Sequence, residues 1–236
     1  MAESHRALYV VAKQPAAGQT KTRLCPPLSG EEAATLYAAF LADTLDLMRQ
    51  VAGVRCGIAY LPAGAEDFFG GLAPEMELVL QQGESLGERL DNLITGALAN
   101  GATQAVVMDS DSPTLPPSYV AQAFALLDGD AEAVFGPCHD GGYYLVGMRR
   151  PCPALLRAVQ MSTPTVLADT LAIAAREEVR VALLPPWYDV DTGEELTHLA
   201  HELRTADPTI ALHTRRGLAT LAWSANGSGH GDGPTG

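Results

Sequence analysis

Short apolar runs rich in β-branched and aromatic residues alternate with stretches of helical periodicity along the chain. The runs at 6–12 (RALYVVA), 54–60, 76–81, 104–108, 131–136, 143–148 and 179–184 read as strands. Helices are predicted over 29–50, 85–100, 116–127, 164–177 and 192–204, with Thr163 as a cap for the fourth. Three of the helices open on an S/T-x-x-E signature: Ser29 with Glu32, Ser85 with Glu88, and Thr192 with Glu195. Strand–helix alternation at this spacing predicts an α/β fold of three αβα layers around a mostly parallel, Rossmann-like sheet. Ligands of such sheets bind beyond the carboxyl ends of the strands. Polar motifs at strand ends are therefore the places to look for chemistry.

The 236 residues suit one large domain, read here as 1–223, followed by a Gly/Ser-rich tail at 224–236 that is expected to be disordered. Acidic residues outnumber basic ones by 28 to 15, a net charge of −13. That balance argues against nucleic acid or an anionic membrane surface as a partner, but not against a small phosphorylated substrate held in a locally basic cleft. The four cysteines form no C-x-x-C pair, so neither a zinc knuckle nor a redox motif is indicated. With no long apolar span, the reading is a cytoplasmic protein with reduced thiols.

The first predicted strand runs into AKQPAAGQTKTRL. Lys13, Gly18, Lys21, Thr22 and Arg23 place a glycine and several cations where a polyphosphate could sit: lysine gives a compact charge, arginine a two-pronged one. The pattern is neither a P-loop nor a dinucleotide fingerprint. A basic, solvated loop is the plainer alternative. The apolar run at 104–108 leads into DSDSPTL, where Asp109 and Asp111 can share a Mg²⁺ or Mn²⁺ with substrate phosphates. Turn chemistry ending at Pro113 is the competing explanation.

In FGPCHDGGYYLVG, Asp140, Gly141 and Gly142 either contact a ligand through closely approaching backbone or form a tight D-G turn. His139 reads as a loop histidine. In WYDVDTGEEL, Asp191 could add a third carboxylate to the metal, or Asp189 and Asp191 could simply favour a helix N-terminus.

Taken in order, AKQPAAGQTKTRL, MDSDSPTL, GPCHDGGYYLVG and YDVDTGEEL resemble the DUF2064 group of the glycosyltransferase-A (GT-A) nucleotide-diphospho-sugar transferase superfamily. More distantly they are similar to 2-phospho-L-lactate guanylyltransferases and molybdenum cofactor guanylyltransferases. The resemblance covers about residues 8–203. It implies one active-site cleft on a three-layer sheet, with Mg²⁺ or Mn²⁺ as cofactor. By match, Asp109, Asp111 and Asp191 are the metal carboxylates. Lys21 and Arg23 are the phosphate-binding cations, assisted by Lys13, Gly18 and Thr22. Asp140, Gly141 and Gly142 line the acceptor or sugar site. The nucleotidyltransferase signature loop carries a denser glycine pattern, whereas only Gly18 is present here, which leaves the base open.

The expected activity is transfer of a nucleotidyl group from a nucleoside triphosphate to a small phosphorylated acceptor, with Lys21, Arg23 and Asp109 as catalytic residues and pyrophosphate as leaving group. The alternatives are a glycosyltransferase using a nucleotide sugar on the same scaffold, and a nucleotide-binding protein without turnover. The acceptor pocket is expected from the loops at 62–74 and 151–165. A homodimer is left open.

Overall fold

The computed structural model describes residues 5–221. The tail at 224–236 lies outside the described residues. Seven strands form one sheet in the order β3-β2-β1-β4-β6-β5-β7. They are β1 (His5–Lys13), β2 (Val54–Leu61), β3 (Glu77–Leu80), β4 (Ala102–Met108), β5 (Ala133–Pro137), β6 (Tyr143–Met148) and β7 (Val181–Leu183). The helices are α1 (Gly30–Arg49), α2 (Glu66–Leu72), α3 (Leu86–Ala99), α4 (Pro117–Asp128), α5 (Ala154–Arg157), α6 (Val166–Arg176), α7 (Gly193–Thr205) and α8 (Leu212–Thr220).

Side-chain alternation along each strand makes the layers. Leu8 and Val10 of β1, with Val106 and Met108 of β4, pack under Leu41 and Leu45 of α1 and Val120 and Phe124 of α4. Ala7, Tyr9, Ala105 and Val107 point to the other face, against Leu90, Leu93 and Ile94 of α3 and Leu155 and Leu156 of α5. The two central strands are thus apolar on both faces, as parallel strands sandwiched by helices must be. A third cluster joins Leu36 and Phe40 of α1 to Val190 and to Leu196 and Leu199 of α7. Burying a residue such as Phe40 contributes about 1.5–3 kcal/mol.

All three predicted capping boxes put the glutamate of the signature on backbone N–H groups at the helix start. Glu32 accepts from the Ser29 N–H at 2.8 Å and Glu88 from the Glu84 N–H at 2.8 Å. The Glu195 carboxylate takes the N–H groups of both Asp191 (2.8 Å) and Thr192 (2.7 Å).

Three details depart from the sequence reading. Strand β6 is antiparallel to both of its neighbours, β4 and β5. Only Cys138–Gly142 separates β5 from β6, far too few residues for a parallel crossover. The fourth predicted helix starts at Val166, and Thr163 does not cap it; its hydroxyl donates to the Gln160 carbonyl at 3.1 Å. Helices α2, α5 and α8 carry too few apolar turns to have stood out, with α2 spanning only seven residues and α5 four.

Candidate active site

The carboxyl ends of β1 and β4 lie side by side in parallel, so the two loops that follow them face each other. Between them is a cavity of about 440 Å³ whose walls include Lys13, Lys21, Thr22, Arg23, Asp109, Asp111 and Asp191. Leu61, Gln81 and Arg89 close its other side.

Asp109 and Asp111 are held by backbone as much as by side chain. The Asp109 N–H donates to the Tyr144 carbonyl at 2.9 Å, which pins the exit of β4 to β6. The Asp111 N–H donates to Oδ1 of Asp109 at 3.1 Å. Between them the buried Ser110 also borders the cavity: its hydroxyl donates to the Val11 carbonyl at 3.2 Å and lies 2.9 Å from the Tyr37 hydroxyl. The three residues just past β4 thus put two carboxylates and a hydrogen-bonded serine on the wall of one cavity. The Val190 N–H donates to the Asp111 carbonyl at 2.9 Å, so the YDVD segment is sewn directly to the DSD segment.

Lys21 enters from the first loop. Its backbone is left-handed, with φ 51°, an uncommon state for a side-chain-bearing residue and one that concentrates at functional sites. Its Nζ lies 2.8 Å from Oδ1 of Asp111 and 2.6 Å from Oδ1 of Asp191, and its side chain is only 6% exposed. Arg23 reaches the other oxygen of Asp191. Burial disfavours the Lys21 ammonium, but Asp111 and Asp191 more than offset that and hold its pKa above the ordinary lysine value. Burial likewise opposes ionisation of Asp191, yet Lys21 and Arg23 bring its pKa below the usual carboxylate value. Asp109 goes the other way: burial first, then the neighbouring Asp111, push it well above.

Not every predicted residue lines this cavity. Gly18, with φ 71°, forms the turn before Lys21 and packs at the start of α1, where a Cβ on Gly30 would stand 3.0 Å from the Gly18 nitrogen. Asp140, Gly141 and Gly142 make the β5–β6 turn, with Oδ1 of Asp140 accepting from the Gly142 N–H at 2.8 Å. The tight-turn alternative therefore describes their backbone. Asp140 nevertheless stands near the acidic end of the cleft. Its carboxylate, that of Asp189 and the Cys138 thiol lie within 4.8 Å of one another. Burial, then Asp191 and Asp140, push Asp189 up to about 6.

Sequence reasoning overlooked Arg89, Tyr37, Gln81 and Ser162 as cavity-lining groups and undervalued Asp189. Arg89 carried the only available signal, a cation one turn inside a capped helix that follows a predicted strand. A second acidic group, Asp43 and Asp46 with His213, is structural at Asp43, whose two oxygens accept the N–H groups of His213 (2.9 Å) and Thr214 (2.7 Å) and so cap α8.

The sheet order and the cleft at the carboxyl edge define the nucleotide-diphospho-sugar transferase fold. The family described as "Uncharacterized protein conserved in bacteria (DUF2064)" matches residues 44–163, and the chain belongs to that family. A protein from Desulfovibrio desulfuricans G20, provisionally assigned as a nucleotide-diphospho-sugar transferase, superimposes with a TM-score of 0.84 at 30% identity, over 92% of this chain and 96% of that one. CMP:2-keto-3-deoxy-manno-octonic acid synthetase in complex with CTP gives 0.57 at 13% identity, over 85% and 99%. Rv0371c from Mycobacterium tuberculosis H37Rv in complex with manganese gives 0.51 at 20% identity, over 84% and 100%. No curated protein matches the chain. Among the described residues, no helix is long and apolar enough to cross a membrane.

Proposed function

We propose that this protein is a metal-dependent transferase that moves a nucleotidyl group from a nucleoside triphosphate to a small phosphorylated acceptor. The observation that carries the reading is the sharing of one cavity by Lys21, Arg23, Asp109, Asp111 and Asp191 at the carboxyl edge of the sheet.

The donor set suits a hard divalent ion, Mg²⁺ or Mn²⁺. Its ligand atoms are carboxylate oxygens, and Asp109 is a carboxylate that its surroundings disfavour in the charged form until positive charge arrives. Asp109, Asp111 and Asp191 are the residues that would hold the ion. A bound divalent ion supplies electrophilic charge to the donor phosphates. The protein's own groups do the rest. Lys21 and Arg23 neutralise Asp111 and Asp191 and remain within reach of phosphate oxygens in the same cleft. Lys13 adds charge from the end of β1.

An acceptor phosphate oxygen attacks the α-phosphorus, the bond from that phosphorus to the bridging oxygen of the β-phosphate breaks, and pyrophosphate leaves. Such transfer needs positioning and charge stabilisation rather than a protein nucleophile. The four cations of the cavity exceed its three carboxylates by one. With a divalent ion the site reaches about +3, equally far from the roughly −4 of a triphosphate and the −2 of a nucleotide sugar, so either donor meets a net positive cleft.

A glycosyltransferase reading is favoured by one observation, the provisional assignment of the Desulfovibrio desulfuricans relative to nucleotide-diphospho-sugars. Pyrophosphate release, screened over all four NTPs against sugar phosphates and phosphorylated hydroxy acids, separates the two. Release with one pair supports nucleotidyl transfer. Cleavage of a nucleotide sugar without release from any NTP replaces it with glycosyl transfer. Residues 1–223 are read as one domain. A cytoplasmic location fits the four free cysteines.

A further inference from the structure

The basic side chains of the cleft are not equivalent. Lys21 is taken by Asp111 and Asp191, and Arg23 by Asp191. Arg89, at the fourth position of α3, has no ion pair among the described residues. Its Nη1 donates to the Glu84 carbonyl at 3.1 Å, which fixes the guanidinium from one side. Its Nε is shielded from water and has no acceptor. Among the described residues its Nη2 has no acceptor either, so the Nε/Nη2 edge is unmatched on a residue that lines the cavity.

The acidic neighbour cannot supply the missing partner cheaply. Glu88 spends its Oε2 on the N–H groups of Glu84 (2.8 Å) and Ser85 (3.4 Å), and swinging it towards Arg89 would open the capping box. The helix carrying Arg89 is also held firmly. At Gly87 a Cβ would come within 2.1 Å of the Leu156 carbonyl oxygen, so the first turn of α3 lies directly on α5. A guanidinium edge presents two parallel N–H donors at a spacing that matches two oxygens of one phosphate or carboxylate. A buried donor such as Nε is ordinarily matched.

We infer that Arg89 is a substrate-binding residue whose Nε/Nη2 edge receives an oxyanion, either a phosphate of the donor or the phosphate or carboxylate of the acceptor. The inference rests on the cleft being the transferase site proposed above. It assigns gripping of substrate charge to the one arginine of the cavity that makes no ion pair among the described residues and feels Glu88 only weakly, whereas Lys21 and Arg23 are in large part balanced by their own aspartates.

The test is calorimetric titration of the full chain with Mg²⁺, using each NTP, the matching NMP, inorganic tripolyphosphate, and inorganic phosphate added after the NTP. Wild type is compared with Arg89→Gln, Arg89→Lys and the exposed surface control Arg176→Gln. Arg89→Gln should weaken at least one phosphate-bearing ligand tenfold or more with an unchanged melting temperature. Loss for NTP and tripolyphosphate but not NMP assigns the donor's outer phosphates. Loss only for phosphate added to the NTP complex assigns the acceptor. Should Arg89→Gln fail to fold, Arg89→Lys decides: it keeps the charge but not the paired donors, and a loss of fivefold or more is expected. Wild-type binding of NTP, tripolyphosphate and the added phosphate that both variants retain within twofold for every probe overturns the inference and leaves the transferase reading intact. Tripolyphosphate binding that depends on Arg89, with no nucleotide bound, does the reverse. No binding of any probe by wild type removes both.

Discussion

The Nζ of Lys21 lies 2.6 Å from Oδ1 of Asp191, a contact that spans 170 positions of the chain. The same ammonium reaches Asp111 at 2.8 Å. One positive charge therefore bridges the acidic ends of two separate segments.

Removing that bridge should leave two neighbouring carboxylates uncompensated. Lys21→Met is expected to lower stability by about 2 kcal/mol, less than a fully buried pair would cost because Asp111 and Asp191 are 32% and 23% exposed. Urea denaturation in EDTA measures the loss. Added Mg²⁺ should recover more stability in the variant than in wild type, since a divalent ion can take over the bridging charge. Equal recovery would mean that Lys21 and the ion do not share the site.

Asp109→Asn should act in the opposite direction on folding. Burial and Asp111 raise the Asp109 pKa well above the ordinary carboxylate range, so ionising it at neutral pH costs the folded state. In EDTA at pH 7.5 the variant should melt higher than wild type, by a few degrees for about 1 kcal/mol. Metal-dependent turnover should fall at least a hundredfold. A lower melting temperature would make the carboxylate a structural group.

Asp189 gives a pH dependence with a definite sign. Its folded pKa is raised to about 6, so between its ordinary value and pH 6 the folded state binds a proton that the unfolded state does not. Its contribution is therefore fully present at low pH and is lost as pH rises through 6. Asp191, with a lowered pKa, contributes above the ordinary carboxylate value and loses its share on acidification. Asp189→Asn should remove a decline of about 1–2 kcal/mol between pH 4 and 7 in metal-free buffer. Denaturant midpoints compared across that range would detect it, and parallel profiles for variant and wild type would count against the assignment.

Gly141 tests the turn beside the cleft. Its φ is 90°, and a Cβ there would meet the Pro164 carbonyl oxygen at 1.9 Å. Gly141→Ala should cost about 2 kcal/mol or more by thermal melt. Gly71→Ala, where a Cβ meets nothing within 4 Å, should change little.

Periodicity made most of the sheet legible. Apolar runs such as 104–108 have few ways to be buried, and capping boxes at Ser29, Ser85 and Thr192 mark helix starts through local hydrogen bonds alone. The carboxylate pair was legible too, because Asp109 and Asp111 directly follow an apolar strand, and the carboxyl ends of such strands open on the ligand cleft. Which cations meet which carboxylates was not. The contacts of Lys21 with Asp191 and of Val190 with Asp111, and the unmatched Arg89 Nε among the described residues, depend on how distant segments dock. The antiparallel course of β6, by contrast, follows locally from a five-residue connection through the D-G turn. Local sequence sets what a segment becomes, because its hydrogen bonds and its period are satisfied within a few residues. Charge balance in a cleft is a sum over groups that only packing brings within a few ångströms of each other, and tertiary structure alone fixes that sum.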